Sequence, residues 1–339
     1  MKIKIGVFFG GQSVEHEVSI ISALQAVHSF NREKYDIIPI YITKNNEFYV
    51  GEKIGKIEEY KNIPALLKKS QKVILINENE KLNLMKYPMK KFGNFLYDYI
   101  DIAFPIVHGT NVEDGSLQGY LKCLRIPFAG CDVLSSAVGM DKYVMKTVLK
   151  ENNIPVLDCF HIDRKHYQDE PAAFLTKIET KIGYPVIVKP INLGSSVGIK
   201  KASDRVQLEE AMDYAFQFSG RVLVERAIVH LKEINCSVLG DYEEALASEC
   251  EEPINTDEIL SYEAKYLSGE KSEGSKGMSS TKRKLPADIS PEMREKIQAL
   301  AVKTFQVLDC NGVSRIDFMV DTGSNEVWVN EINTIPGSL

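Results

Sequence analysis

Apolar and polar positions along the 339-residue chain switch repeatedly between a strand-like and a helix-like rhythm. Residues 3–9 (IKIGVFF) are a short apolar run closed by Gly10-Gly11, which predicts a buried first strand. The next stretch, QSVEHEVSIISALQAVHSF, sets Ile20, Leu24 and Val27 on one helical face. Ile37 to Ile42 predicts a second strand and Asp101 to Val107 (DIAFPIV) another buried one. The intervening residues 44–95 are polar, lysine-rich and weakly periodic, and read as a hairpin and an excursion of little functional content. A helix is expected over Ser136–Glu151, with Val138, Val144, Met145, Val148 and Leu149 inward, stopped by Asn152-Asn153-Ile-Pro155.

Further on, helices are expected over Pro171–Ile182 and Leu208–Phe216, and strands over Arg221–Glu225 and Lys232–Leu239. Ser290-Pro291 is a good cap and first-turn pair for a helix running to Asp309, where Asn311-Gly312 stops it. The final apolar stretches, 314–320 and 326–333, flank a turn at 321–325 and predict a hairpin.

Composition narrows the class. Hydrophobic residues at 44% and charged residues at 26% are ordinary for a soluble globular protein, and the length suits two or three domains. A net charge of −6 gives no reason to expect nucleic acid or an anionic membrane as partner. No apolar run approaches the roughly 20 residues of a membrane span, and the N-terminus reads as a first strand rather than a signal peptide. Six cysteines without a CxxC fit a reduced, cytoplasmic protein better than a disulfide framework.

The candidate chemistry gathers at strand ends. The stretch YPVIVKPINLGSSVGIK (184–200) runs from strand to strand through a glycine loop. Its small residues let backbone N–H groups approach an anion, Ser195 and Ser196 add hydroxyl donors, and Lys189 suits a phosphate. It is no P-loop, since GxxxxGK[ST] is absent, and a plain hairpin turn is the competing reading. Glu15 lies where the first turn meets its helix, either complementing the helix dipole or facing a ligand crevice, where it would prefer an ammonium. His108 follows a strand end and precedes Glu113-Asp114-Gly115, while Lys142 follows Met140-Asp141 near a helix start.

Glu225-Arg226 stands at a strand exit, and Glu233 could hold ribose hydroxyls. Residues 262–284 become rich in Gly, Ser and Lys, with Tyr262, Lys265 and Tyr266 at the entry; a solvated charge run and a lid over phosphates are both open readings. In the hairpin, a turn centred on Ser324 sets Asp317 opposite Glu331 and Arg315 opposite Asn333. Facing carboxylates repel unless a cation lies between them, and these oxygen donors suit Mg2+, with Arg315 placed to neutralise a transferring phosphoryl group.

Taken together, the chain resembles the D-alanine–D-alanine ligase family of ATP-grasp enzymes from Met1 to Leu339. The resemblance lies in FFGGQSVEHEVS, VHGTNVEDGSLQG, GMDK, VKPINLGSSVGIKK, VLVER, KEINCSVLG, YEAKY, SRIDF and VNEINTIPG, in the family's order. It implies α/β and α+β architecture: a Rossmann-like N-terminal domain (1–133), then a two-domain ATP-grasp fold, central (134–228) and C-terminal (229–339), with ATP between the last two. The family usually continues past Ser338-Leu339 through a second-substrate loop and a closing helix, so the C-terminal subdomain is expected to be truncated at its end.

By motif, Lys142, Lys189, Ser195, Ser196 and Asn330 are implied as ATP ligands, with Lys265 reaching the phosphates. Glu225, Arg226, Ile228 and Glu233 are implied as adenosine contacts, although Arg226-Ala227 stands where relatives often carry Lys-Trp. Asp317, Glu331 and Asn333 match the metal ligands, for two Mg2+ with Mn2+ as an alternative. Glu15 would take the ammonium of the first D-alanine with His108 nearby, and Ser195 and Tyr266 would hold Glu15 and the lid. Arg315 and the Gly337 N–H would form the oxyanion site, with Ser338 beside the substrate. The implied reaction is ATP-dependent ligation of two D-alanines through a D-alanyl phosphate, for peptidoglycan precursors and cell shape, in the cytoplasm, with a homodimer possible. Lys265-Tyr266 resembles the amine-using members, so D-serine rather than D-lactate is the rival second substrate; a non-catalytic ATP-binding module is the rival of another class.

Overall fold

The structure, a computed structural model, describes residues 2–78, 81–89, 92–254 and 283–337. The chain divides into two compact units, one of Met1–Ala137, Asn311–Val313 and Thr334–Leu339, the other of Val138–Cys310 and Ser314–Asn333.

In the first unit, strands β1 (Ile3–Gly10), β2 (Tyr35–Ile42), β3 (Phe48–Val50), β4 (Gln71–Glu78), β5 (Lys81–Lys86), β6 (Leu96–Ile100) and β7 (Ile102–Pro105) form one sheet. Its order is β6-β5-β4-β3-β2-β1-β7. β1 runs parallel to both neighbours, with Ile5 opposite Ile37 and Ile102. The helices are α1 (His16–Ser29), α2 (Ile63–Lys68) and α3 (Ser116–Cys123). Val7 and Phe9 of β1 pack with Ile20, Leu24 and Val27 of α1, whereas Phe8 packs with Leu117 and Leu121 of α3. A strand covered on both faces needs apolar residues at every position, which is why β1 reads as a continuous run.

Residues 44–95 carry the expected antiparallel pair, β4 with β5, but in place of an excursion they also supply β3 and α2. Val50, Val73, Leu75, Leu82 and Leu84 are buried in the same core as Phe8 and Ile40. Their signal is weak because β3 has three residues and because β4 (QKVILINE) carries apolar residues on both faces, so neither gives a clean alternation.

In the second unit, β8 (Cys159–Asp163), β9 (Val186–Pro190), β10 (Lys200–Ala202) and β11 (Arg221–Arg226) form an antiparallel sheet of order β10-β9-β11-β8. A second sheet has the order β13-β12-β16-β17, from β12 (Leu231–Gly240), β13 (Ala245–Ala247), β16 (Gly312–Asp321) and β17 (Glu326–Asn333). The short strands β14 (Glu252–Pro253) and β15 (Arg283–Lys284) pair with each other.

Helices α4 (Val133–Met140) and α5 (Lys142–Glu151) replace the single helix expected over 136–151. Asp141 is extended between them, and its carboxylate caps α5 by accepting the Tyr143 and Val144 N–H groups at 3.1 and 3.0 Å. This break exposes Val144, which was expected inward, and turns Lys142, Met145, Lys146 and Leu149 into the interior. Helices α6 (Arg164–Asp169), α7 (Pro171–Lys181) and α8 (Arg205–Phe216) follow, and Phe174, Ile178, Leu208 and Met212 cover Val186, Val188, Val222 and Val224 of the first sheet. Helix α9 (Pro291–Val307) starts at Ser290, whose Oγ accepts the Met293 N–H at 3.2 Å, and buries Met293, Ile297, Ala301 and Phe305.

Candidate active site

In the first unit, β1 ends in Gly10 and Gly11, both with φ near +94°, where a Cβ on Gly10 would lie 2.3 Å from the Ile42 carbonyl. The chain then enters α1 through Glu15. Glu15 stands directly before α1, and its side chain makes no capping hydrogen bond to that helix. Its carboxylate lies against the loop after β7: a Cβ on Gly109 would fall 2.6 Å from Glu15 Oε2 and 2.4 Å from Ser13 Oγ. Only a glycine allows that approach, and Gly109 also has a φ of +80°.

His108 is buried beside it, its Nε2 at 3.2 Å from Ser22 Oγ. Ser22 donates to the Gly337 carbonyl at 2.8 Å, so it receives the His108 Nε2 proton. Glu113, without an assigned role in the sequence reading, is the group that ties this corner together. One oxygen accepts the Gly109 N–H at 2.9 Å, and the other accepts the Ile335 N–H at 3.1 Å. Burial, reinforced by the charge of Glu15, pushes the Glu113 carboxyl up to about 8. Glu113 therefore keeps its proton at neutral pH.

In the second unit, β9 and β10 are the strands of the predicted glycine hairpin, with Lys200 opposite Val188. Ser195 and Ser196 both lie at positive φ, 53° and 59°, a strained pair for side-chain-bearing residues of the kind that collects at ligand loops. Gly198 closes the loop tightly, since a Cβ there would lie 2.7 Å from the Pro190 ring. Lys189, at the end of β9, pairs with Glu225 Oε1 on β11 at 2.5 Å and donates to Asn330 Oδ1 at 3.2 Å. Lys142, at the start of α5, donates to the Leu193 carbonyl at 2.8 Å and pairs with Glu331 at 3.2 Å. The glycine loop, α5 and the last hairpin therefore meet around two lysines.

The last hairpin carries the expected pairing, Asp317 opposite Glu331 and Arg315 opposite Asn333. It reaches it by another route. Near the turn the register is one residue off, with Phe318 opposite Val329, and a bulge at Asn330 restores it. Bulges re-aim side chains, and here Asn330 turns to Lys189 while Glu331 meets Lys142.

Arg315 grips Asp317 with two hydrogen bonds of 2.7 Å, and Asn333 Nδ2 donates to Asp317 Oδ2 at 3.1 Å. Burial and the charge of Glu331 push Asp317 up against the opposing pull of Arg315. Burial is outweighed for Glu331, which Lys142 and Lys189 hold down. The repulsion of the facing carboxylates is thus met by protein cations. Among the described residues no three His, Cys, Asp or Glu side chains gather as a metal cage. Two carboxylates and an amide oxygen donor on one face do fit Mg2+, which takes few protein ligands and completes its shell with water and phosphate.

At the exit of β11, the Arg226 guanidinium lies 4.8 Å from the ring centre of Trp328, the chain's one tryptophan. Ile228 packs on Leu157, Met319 and Trp328. Glu233 is half-buried on β12. Lys265 and Tyr266, with the rest of the glycine- and lysine-rich stretch, and Ser338 lie outside the described residues. Besides Glu113, the sequence reading missed Lys146, which pairs with Glu225 Oε2 at 2.5 Å; its signal was the one-turn spacing from Lys142.

A Rossmann-like sheet joined to two antiparallel sheets that gather lysines, carboxylates and a glycine hairpin defines the class of ATP-grasp proteins. Comparison with known proteins narrows the class. The models of the D-ala D-ala ligase N-terminus and C-terminus match residues 4–131 and 148–338. The D-alanine--D-alanine ligase of Thermosipho melanesiensis is 40% identical over 337 residues, 99% of this chain and 87% of its own. That of Clostridium novyi is 40% identical over 337 residues, covering 99% and 90%. Among solved structures, the D-alanine-D-alanine ligase from Coxiella burnetii aligns with a TM-score of 0.79 at 30% identity, over 99% of this chain and 85% of that one. The VanG D-Ala:D-Ser ligase from Enterococcus faecalis aligns with a TM-score of 0.79 at 33% identity, over 99% and 91%. The chain belongs to the D-alanine–D-alanine ligase family.

Proposed function

We propose that this chain joins two D-alanines into D-alanyl-D-alanine with ATP, as a step toward peptidoglycan precursors. The observation that carries the reading is the match of both family models, from residue 4 to residue 338, by a chain whose acidic hairpin and lysines are intact. Glu15 takes the ammonium of the first D-alanine, beside a Glu113 that stays protonated at neutral pH. Lys142, Lys189 and the backbone and hydroxyls of Ser195 and Ser196 bind the ATP phosphates. Glu225, Arg226, Ile228 and Glu233 surround the nucleoside.

A carboxylate oxygen of the first D-alanine attacks the γ-phosphorus, the bond to the β-phosphate oxygen breaks, and ADP leaves. The amine of the second D-alanine then attacks the acyl carbon and loses a proton, and phosphate departs with the former carboxylate oxygen. Arg315 stabilises the oxyanion of that second step. Asp317, Glu331 and Asn333 would hold Mg2+, with Mn2+ as a substitute; the ion neutralises phosphate charge and aligns the γ-phosphoryl group. No described helix is long and apolar enough to cross a membrane; the cytoplasm is taken as the site of the reaction, with a homodimer left open.

The likeness to a D-Ala:D-Ser ligase favours one second reading, D-serine as the second substrate. Phosphate release with Mg-ATP and D-alanine, alone and with D-serine, with products weighed by mass spectrometry, tests both. D-alanyl-D-alanine from D-alanine alone supports the proposal. A preferred mixed dipeptide moves the chain to the second reading, and release of phosphate without any dipeptide rejects both.

A further inference from the structure

Helix α5 sets Lys142 and Lys146 one turn apart on its buried face, where two ammoniums repel each other. Each has a carboxylate, Glu331 for Lys142 and Glu225 for Lys146. Lys189 takes the remaining oxygen of Glu225, so that one carboxylate is held at 2.5 Å by an ammonium on each side. The side chains of Lys146, Glu225 and Lys189 are 2, 3 and 5% exposed. Three buried ammoniums thus share two carboxylates, and the surplus positive charge suits an arriving anion. The two lysines on Glu225 are not equivalent. Lys189 also reaches Asn330, beside the hairpin acids, while Lys146 comes from the opposite side, off α5.

The charge states agree with this division. Burial opposes ionisation of Glu225, but Lys146 and Lys189 outweigh it and hold the carboxyl at about 2. Burial draws the Lys146 ammonium down despite Glu225, because it shares that single anion with Lys189. The carboxylate has two counter-charges and each ammonium has half of one.

We propose that Lys146 is a positioning residue for nucleotide binding, holding Glu225 as a buried ion pair so that Lys189 can leave Glu225 for the nucleotide. This rests on the ATP reading above. Without Lys146, Lys189 becomes the sole cation of a buried carboxylate, and nucleotide binding must break that pair. Lys146 touches no substrate in this scheme; it acts through Glu225.

The test is a double-mutant cycle read by calorimetric Mg-ATP binding and by steady-state kinetics, with wild type, Lys146→Met, Glu225→Gln, the double variant and Lys146→Arg. Lys146→Met should weaken ATP binding about ten-fold or more and raise the KM for ATP, with the KM for D-alanine changed by less than about two-fold. The double variant should bind ATP within about two-fold of Glu225→Gln alone, because the methionine has no carboxylate left to release. Lys146→Arg should restore most of the affinity. Multiplied losses in the double variant, or unchanged affinity in Lys146→Met, would overturn the proposal. Should Lys146→Met not fold, comparing the double variant with Glu225→Gln still decides. A wild-type protein that binds no Mg-ATP overturns the nucleotide reading and this proposal together, whereas wild-type binding with multiplied losses overturns this proposal alone.

Discussion

Burial and the neighbouring Glu15 disfavour ionised Glu113, and they outweigh the two backbone N–H groups that its oxygens accept, so ionising it has a cost that the unfolded chain does not meet. Below about pH 4.5 both states hold the proton; between there and about pH 8 only the folded state does. Stability from this group is therefore full at low pH and falls as pH rises toward 8, by about 1.4 kcal/mol per unit at most. Thermal unfolding from pH 5 to 8 should show wild type losing more stability than Glu113→Gln; parallel curves would contradict the buried acid. At Gly109, a methyl group would strike Ser13 Oγ and Glu15 Oε2. Gly109→Ala should displace Glu15 and raise the KM for D-alanine about ten-fold or more, with a smaller change in the KM for ATP; equal changes would detach Glu15 from the amino acid.

Lys189 and Asp317 were picked out in the sequence by residue type and by place on a strand, and the structure sets Lys189 against Glu225 and Asp317 against Arg315. Lys146 was not, because its meaning lies in Glu225, which is 79 positions away. Glu113 could be seen but not interpreted, since only burial gives it a raised pKa.

The break at Asp141 matters most among the elements, because the cap sets the direction of α5 and hence of Lys142 and Lys146. Asp141 also pairs with Arg221 of β11. Asp141→Ala should destabilise the protein by about 1–2 kcal/mol in denaturant unfolding and raise the KM for ATP, whereas Asp141→Asn keeps the cap and should lose less. Similar losses in both would assign the effect to the ion pair. Periodicity could not reveal this break, since α4 and α5 keep apolar residues at helical spacing across it. The hairpin shows a related limit. Its pairing at the acidic end was read from the turn, but the bulge at Asn330 was not, because a regular hairpin centred on Ser324 already sets Asp317 opposite Glu331 without one.

Across the whole molecule, continuous apolar strands, capped helices and the ordered motifs made the Rossmann-like and ATP-grasp architecture readable. Residues 44–95 were readable only as a hairpin, since β3 is three residues long and β4 alternates apolar with apolar residues, Val73 and Leu75 about Ile74. Function at this scale depends on the hairpin acids serving the same reaction as the lysines on α5 and β9. Glu331→Gln, which removes the partner of Lys142, should lower kcat by about 100-fold or more with the fold retained; near-normal turnover would separate the hairpin from catalysis.

The central claim, ligation through an acyl phosphate, is tested most directly by following the carboxylate oxygens. D-Alanine labelled with oxygen-18 in its carboxyl group is incubated with Mg-ATP and the enzyme, and the released phosphate and the dipeptide are weighed. The account predicts one labelled oxygen in phosphate for every D-alanyl-D-alanine formed. Phosphate released without label would contradict it.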